Sequence, residues 1–347
     1  NETTIELIKH SSRPVFWFGQ GIRIAKAEKR IKALVDCFPF PFLVSWAGMD
    51  MVEGSHPLNY GRAGVYGSRA GNFVVQNSDL VIAIGNRMSI PMIGYEQSEF
   101  ARNAKIVQVD IDKLELEKTK SIVDIGIQLD AGEFINKIIK IKNNNIKFPE
   151  INNWIKTCNG YKNRYPLIGP EHEDNSNYIN SYRFMDKLSG YLKNDQIIVT
   201  DTGTALLSGH QSIRIKSKQR LMTSTGLGEM GCGLPGAIGA SFAKNKSEII
   251  CLNCDGGMMM NLQELQTIAH HSLPIKIFIF NNNGYLMIKH TQKNLFEGRY
   301  SGTDNKSGVS IPDFSKLSAA FDFPYFSIRK WDDFDDVIPK YKISMKL

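Results

Sequence analysis

Residues 254–261 read Cys-Asp-Gly-Gly-Met-Met-Met-Asn, and the runs on either side of them predict a βαβ unit. An apolar-rich run at 248–253 precedes it and predicts a buried strand. Apolar residues at helical spacing follow it over 261–270. A further apolar run at 274–280 predicts a second strand, which ends on the asparagines at 281–283. The pattern therefore places an acidic residue and two glycines after one strand, and carboxamides after the next.

These two turns together predict a site for Mg²⁺ and a diphosphate. A βαβ unit brings the carboxyl ends of its parallel strands side by side. Free N–H groups at a helix N-terminus attract phosphate, and Gly256 and Gly257 let the backbone approach it. The oxygens of Asp255 and Asn282 are hard ligands suited to Mg²⁺. The alternative is an ordinary βα turn, in which the glycines give curvature and asparagine caps the helix.

The stretch resembles the thiamine-diphosphate motif of the acetolactate synthase-like enzymes. That motif has Gly-Asp-Gly, then a Met-Asn-Leu-Gln-Glu-Leu-like run, then Asn-Asn after a strand. Residues 260–265 match the run and residues 281–282 match the asparagine pair. Cys254 replaces the first glycine, at a position that precedes the ligands. The resemblance implies thiamine diphosphate and Mg²⁺ as cofactors.

The resemblance also implies which residues contact these cofactors. Gly228 would offer its carbonyl to the aminopyrimidine amine, and Met230 would support the bent shape of the cofactor, whereas the chemistry of Met230 alone favours a core residue. The metal ligands would be Asp255, Asn282 and the Gly284 carbonyl. The implied cofactor-binding set is Asp201, Gly203, Thr204, Gly228, Met230, Asp255, Gly256, Gly257, Asn282, Gly284, Tyr285, Leu286 and Met287.

Length and patterning predict two α/β domains, each with three layers and a mostly parallel sheet covered by helices on both faces. At 347 residues the chain has room for two domains, which we expect at 1–150 and 151–347 with a Lys/Asn-rich linker at 141–150. Strands alternate with helices, as in a parallel sheet. The predicted strands include 15–18, 42–44, 80–85, 105–110 and 197–200, and the predicted helices include 22–35 and 234–243.

Composition excludes several classes of protein. The 42% apolar and 22% charged residues are typical of a globular domain, and no run of about 18 apolar residues predicts a membrane helix. The net charge of +7 is scattered without a basic stripe, which argues against nucleic-acid binding. The odd count of five cysteines argues against a disulfide framework and favours the cytoplasm. The CxxC at 251–254 has no second pair at metal-ligand spacing, so we expect neither metal nor redox use.

The first half of the chain carries weak nucleotide-binding signals. Gly19-Gln20-Gly21 matches half of a dinucleotide fingerprint, and without the third glycine it favours a tight turn. Asp50 is a poorly placed candidate for a ribose ligand. The glycine-rich residues 61–72 resemble the central domain of the same family, which in acetolactate synthase holds the adenine side of FAD. Residues 86–91 replace the family's Arg-Phe-Asp-Asp-Arg run, so we expect no FAD.

The resemblance implies a lyase or carboligase acting on pyruvate or a related 2-keto acid. Two alternatives remain open, a non-catalytic paralogue that binds thiamine diphosphate or a nucleotide, and an NAD- or FAD-dependent oxidoreductase. The specificity segment at 284–292 does not identify the keto acid. Thr291 replaces the Trp of acetolactate synthases, and Ile288 replaces the Glu of pyruvate decarboxylases. His290 is either a proton donor or an exposed structural histidine.

The family's activating glutamate lies on an N-terminal pyrimidine-binding domain of a neighbouring subunit. We expect this chain to contain only the central and diphosphate-binding domains, clipped at the C-terminus, and to be inactive alone. We therefore assign no catalytic residue to it, and expect Glu229 to be a charge at a helix N-terminus rather than a substitute. In the intact protein the cleft would lie between subunits of a homodimer or homotetramer.

Overall fold

Two parallel β-sheets organise the chain, each in its own unit. The computed structural model describes residues 2–142, 148–175 and 178–343. The units are Asn1–Gly169 and Pro170–Leu347, and helices flank the sheet in each. The prediction of two α/β domains with mostly parallel sheets is therefore confirmed. Among the described residues, no helix combines the length and the apolar character needed to cross a membrane.

The strands are Pro14–Phe18 (β1), Phe42–Val44 (β2), Asn59–Arg62 (β3), Leu80–Ile84 (β4), Lys105–Asp110 (β5), Ile125–Gln128 (β6), Ile197–Thr200 (β7), Arg220–Met222 (β8), Ile249–Cys254 (β9) and Ile275–Phe280 (β10). The helices of the first unit are Glu2–His10 (α1), Gly21–Ile24 (α2), Glu28–Cys37 (α3), Arg69–Gln76 (α4), Ile90–Ile93 (α5), Lys113–Lys118 (α6), Ala131–Lys142 (α7) and Asn152–Arg164 (α8). Those of the second are Ser181–Tyr191 (α9), Thr204–Ser212 (α10), Gly233–Ala243 (α11), Asp255–Met258 (α12), Glu264–His271 (α13), Leu286–Leu295 (α14), Phe314–Ala320 (α15) and Trp331–Ile343 (α16).

The first sheet has the order β3-β2-β1-β4-β5-β6, with every pairing parallel. This is the doubly wound arrangement, in which the strand order reverses between β1 and β4. Both of these central strands are buried along their whole length, as their continuous apolar sequences predict. The sequence did not predict β3 or β6. The first is rich in polar residues and glycine, and the second is an edge strand with alternating exposure.

The helix predicted at 22–35 is broken into α2 and α3. Lys26 adopts a φ of 54°, in the left-handed region, so the chain turns between the two helices. Apolar spacing continues across the break because both helices bury their apolar residues, such as Ile22 and Ile31. A periodic pattern does not reveal such an interruption, so the helix prediction was wrong over these residues.

The Gly19-Gln20-Gly21 turn is packed against a second glycine turn at the reversal point of this sheet. A Cβ on Gly19 would lie 2.1 Å from the Gly85 carbonyl oxygen, and one on Gly21 would lie 2.7 Å from the Gly85 Cα. These glycines therefore permit a close backbone contact, in agreement with the tight-turn interpretation. Asp50, the ribose candidate, accepts a hydrogen bond from Arg23 at 2.7 Å with its side chain fully buried.

Helix α8 belongs to the first unit, although the expected boundary at residue 150 assigns it to the second. The indole of Trp154 donates a hydrogen bond to the Pro14 carbonyl, and Tyr60 donates one to Asn159 at 2.8 Å. The first compact unit ends at Gly169, after this helix, and the second begins at Pro170. Part of the linker expected at 141–150 lies outside the described residues.

The second sheet has the order β10-β9-β7-β8, and all its pairings are parallel. Strand β8, which follows β7 in the sequence, lies on one side of β7, and β9 lies on the other side. The strand order therefore reverses between β7 and β9. Val199 and Cys251 of these strands pack with Ala237 of α11 and Ile268 of α13 in one core cluster. Open α/β sheets bind ligands at the carboxyl ends of strands beside such a reversal.

Candidate functional site

Three neighbouring strands of the second sheet end at one edge. Thr200 of β7 pairs with Leu252 of β9, and Cys254 at the end of β9 pairs with Phe280 at the end of β10. Asp201, Asp255 and residues 281–283 follow these strands directly. The parallel pairing therefore brings together the two turns that the sequence singles out, at the reversal of strand order.

Asp255 is fully buried and accepts hydrogen bonds from three backbone N–H groups. Its Oδ1 accepts from Gly256 at 2.8 Å, and its Oδ2 accepts from Asn282 and Gly284 at 3.0 Å each. Burial raises the pKa of this carboxyl, while the backbone hydrogen bonds act in the opposite direction. Asp255 thus holds the turn after β10 against the turn after β9.

The side-chain oxygen of Asn282 is buried without a hydrogen-bond partner among the described residues. A buried polar atom of this kind is costly unless a ligand satisfies it. It belongs to the residue whose N–H is bound to Asp255, and oxygen is the donor that Mg²⁺ prefers. The described residues contain no group of three or more His, Cys, Asp or Glu able to hold a metal. The residues here instead offer one buried carboxylate and one unpartnered amide oxygen.

The two glycines of α12 allow close packing within the protein. A Cβ on Gly257 would lie 2.4 Å from Asp201 Oδ2 and 2.7 Å from Asn253 Oδ1. A Cβ on Gly256 would lie 2.4 Å from the ring of Tyr285. Each glycine Cα thus faces protein atoms. Close packing within the protein is therefore a second reason for glycine here, beside the approach of a phosphate that the sequence predicts.

The buried Asp201 side chain joins two loops through hydrogen bonds. Its carboxylate accepts from Gly231 N at 3.0 and 3.1 Å and from Thr202 N at 2.7 Å. Burial raises the pKa of the Asp201 carboxyl, against these hydrogen bonds. Gly203 adopts a φ of 88° beside Cys254 Sγ, and Thr204 begins α10. Asp201 therefore fixes the loop that leads into α11.

That loop carries Gly228 and Met230 to the surface. Gly228 adopts a φ of 65°, which favours glycine. Met230 is 36% exposed, so it is not a core residue, and its methyl group would lie 3.4 Å from a Cβ on Gly256. Glu229 is exposed, and a hydrogen bond from the Ser224 hydroxyl lowers the pKa of its carboxyl. It lies before α11, which begins at Gly233, so its expected place at a helix N-terminus was wrong.

Helix α14 presents apolar residues beside the site. Leu286, Met287 and Ile288 are 46%, 36% and 50% exposed. His290 is also exposed, and its Nε2 lies 2.8 Å from Asn294 Nδ2 one turn along the helix. The histidine therefore has a local partner on its own helix, as an exposed structural histidine does.

The cysteines of the CxxC at 251–254 lie on opposite faces of β9, because residues three apart on a strand point in opposite directions. Cys251 packs in the core cluster, whereas Cys254 Sγ accepts from Ala205 N at 3.3 Å. Burial raises the pKa of Cys254 to about 12. Both thiols are free and protonated at neutral pH, and the strand geometry does not allow them to bridge.

The 302–307 loop, which packs on the turn after β10, was not predicted from the sequence. Thr303 is 1% exposed, and its carbonyl oxygen accepts from Tyr285 N at 2.8 Å. Asp304 and Ser307 form a capping box in this loop. The Asp-x-x-Ser pattern could have indicated the local cap. It gives no indication of the distant contact with Tyr285.

Comparison with known protein families gives two matches that together cover most of the chain. Residues 2–138 match the central domain of thiamine pyrophosphate enzymes, and residues 201–345 match their C-terminal TPP binding domain. The matches agree with the resemblance read from the sequence and do not favour the paralogue or oxidoreductase alternatives.

The chain is also similar to large subunits of acetolactate synthase. It is 34% identical over 326 residues to that of Porphyra purpurea, covering 93% of this chain and 54% of the relative. It is 33% identical to a probable acetolactate synthase large subunit of Methanococcus aeolicus, covering 91% and 54%. It is 31% identical to the isozyme 1 large subunit of Escherichia coli K12, covering 86% and 51%. The chain thus spans about half the length of the curated relatives it matches.

Proposed function

Because the chain belongs to the thiamine pyrophosphate enzymes, of which it carries the central and C-terminal domains, we propose that it supplies the Mg²⁺–diphosphate half of a 2-keto acid carboligase site. The relatives are acetolactate synthase large subunits, which favours pyruvate or a related keto acid as substrate. When bound, thiamine diphosphate supplies a carbon nucleophile and an electron sink for decarboxylation. The protein binds and orients this cofactor and neutralises the charge of its diphosphate.

The observation that carries this proposal is the unpartnered side-chain oxygen of Asn282, a residue whose backbone N–H donates to the buried Asp255 carboxylate. A divalent cation would satisfy the amide oxygen and offset the cost of burying the carboxylate. We propose Asp255, Asn282 and the Gly284 carbonyl as its ligands. Hard oxygen ligands and a diphosphate are the usual partners of Mg²⁺ in such sites.

The proposed site also includes residues of three neighbouring segments. Asp201, Gly203 and Thr204 follow β7, and Gly256 and Gly257 follow β9. Asp201 acts by holding the Gly231 turn, and with it the loop of Gly228 and Met230 that would contact the pyrimidine. Tyr285, Leu286 and Met287 would line the cofactor from the start of α14.

A homodimer and a cytoplasmic location are part of the same proposal. Several apolar residues beside the site are exposed, among them Met259, Met260 and Ile288 at 38%, 48% and 50%. A partner subunit that covered these side chains would remove their apolar surface from water. The absence of FAD stays a prediction from residues 86–91.

Turnover of pyruvate by the full-length protein tests this function. We expect CO₂ release that requires both thiamine diphosphate and Mg²⁺, and that stops when the cation is chelated. Acetolactate measured in the same reactions would identify pyruvate as the acceptor. Cofactor binding without any turnover of 2-keto acids would favour the non-catalytic paralogue. Turnover that needs NAD instead would contradict the proposal.

A further inference from the structure

The two peptide groups that flank Gly284 are held by two other segments of the chain. Gly284 N donates to Asp255 Oδ2 at 3.0 Å, and Tyr285 N donates to the Thr303 carbonyl at 2.8 Å. The contact with Thr303 is close, because a Cβ on Gly284 would lie 2.1 Å from the same carbonyl oxygen. The Asp255 carboxylate therefore holds the peptide before Gly284, and the Thr303 carbonyl holds the peptide between Gly284 and Tyr285.

The hydrogen bond to Thr303 also sets the direction of the Gly284 carbonyl. A trans peptide is planar, so its C=O and N–H point in opposite directions. The described backbone contains no cis peptide. Since the N–H of this peptide points at Thr303, the Gly284 C=O points away from Thr303. This carbonyl is the third ligand in the proposed function.

Thr303 is itself fixed within the 302–307 loop. The Ser307 hydroxyl oxygen accepts from Thr303 N at 3.0 Å and from Asp304 N at 2.9 Å, and Ser307 N donates to Asp304 Oδ1 at 3.0 Å. Gly302 N donates to the Ser307 carbonyl at 2.7 Å. The loop is therefore closed on itself. The Ser307 hydroxyl holds the peptide groups on both sides of Thr303, and the Asp304 carboxylate holds Ser307 in turn.

An ion pair joins this loop to α14, the helix that starts just after the Gly284–Tyr285 peptide. Lys289 Nζ lies 2.5 Å from Asp304 Oδ2, with the two side chains 37% and 23% exposed. The hydrogen bond from Lys289 lowers the pKa of Asp304 to about 2. The carboxylate is therefore ionised at any pH near neutrality, and the pair persists there.

We propose that Lys289, Asp304 and Ser307 are positioning residues, which aim the Gly284 carbonyl at a cation held by Asp255 and Asn282. This inference rests on the proposed function. It also makes the loop a determinant of cation selectivity. Mg²⁺ requires near-ideal octahedral geometry, whereas Ca²⁺ accepts a flexible and irregular set of oxygens. A carbonyl with a freer direction should therefore weaken Mg²⁺ binding more than Ca²⁺ binding.

The test measures how much Mg²⁺ or Ca²⁺ the full-length protein needs to retain thiamine diphosphate through desalting, with the retained cofactor assayed as thiochrome. Asp304→Ala removes both the cap and the ion pair, and Lys289→Met removes the ion pair alone. For Asp304→Ala we expect the Mg²⁺ requirement to rise by about tenfold or more, as for other residues that orient metal ligands. The Ca²⁺ requirement should change much less. Lys289→Met should shift the Mg²⁺ requirement in the same direction by a smaller factor.

Two further variants complete the design. Lys289→Arg keeps the charge pair and should retain the wild-type Mg²⁺ requirement. Lys293→Met makes the same change at an exposed position on α14 and should have no effect. Equal shifts for both cations, or no shift in Asp304→Ala and Lys289→Met, would overturn the inference. If the wild-type protein retained no cofactor with either cation, the proposed function would fail first, so the two failures are distinguishable.

Discussion

Asp255→Asn should abolish Mg²⁺-dependent retention of thiamine diphosphate while leaving the protein folded. The change removes the only charged ligand proposed for the cation, and it leaves one acceptor oxygen where Asp255 uses two. A buried N–H left unpaired costs about 1–3 kcal/mol. Removing a carboxylate whose pKa is raised by burial acts in the opposite direction. We therefore expect the free energy of unfolding in urea to fall by no more than about 2 kcal/mol.

Asp322→Asn is the matched control for this variant. Asp322 is exposed and adopts a φ of 59°, a conformation that asparagine tolerates well. It should retain cofactor and stability as the wild type does. Cofactor retention by Asp255→Asn equal to that of the control would remove Asp255 from the site.

Gly284→Ala should have the largest effect on folding of any substitution in the site. The new methyl carbon would lie 2.1 Å from the Thr303 carbonyl oxygen, and Gly284 adopts a φ of 146°. A contact this close forces the backbone to move, and a strained conformation adds its own cost of about 1–3 kcal/mol. We expect the free energy of unfolding, measured in urea, to fall by about 3 kcal/mol or more.

Gly226→Ala provides the comparison, because a Cβ on Gly226 meets no atom within 4 Å. This variant should differ from the wild type by less than about 1 kcal/mol. Equal stabilities for Gly284→Ala and Gly226→Ala would mean that the 302–307 loop does not press on the turn after β10.

The sequence contained enough information to predict most of the framework. Continuous apolar runs such as those of β1, β4 and β9 mark strands buried on both faces, and their alternation with helices implies a parallel sheet. It did not predict β3, because a strand that contains Asn, Gly and Arg has no periodic apolar signal. Nor did it predict the break between α2 and α3, which depends on one residue with positive φ.

The candidate site was predictable only in part. Asp255 and Asn282 could be placed at one sheet edge because parallel strands end together. The roles of Gly257 and Thr303 could not be predicted, because their contacts join segments that are distant in sequence and involve backbone or buried polar atoms. Asp201, for the same reason, could be singled out by the family resemblance, but its hydrogen bonds to the Gly231 turn could not be predicted.

In the proposed site, Asp255 and Asn282 bind the cation that holds the diphosphate. A crystal structure of the full-length protein with thiamine diphosphate and Mn²⁺ in place of Mg²⁺ tests it most directly, because anomalous scattering locates the metal. We expect a peak about 2.1 Å from an Asp255 carboxylate oxygen, the Asn282 Oδ1 and the Gly284 carbonyl. Bound cofactor with its metal on other residues, or with no metal at this turn, would contradict it.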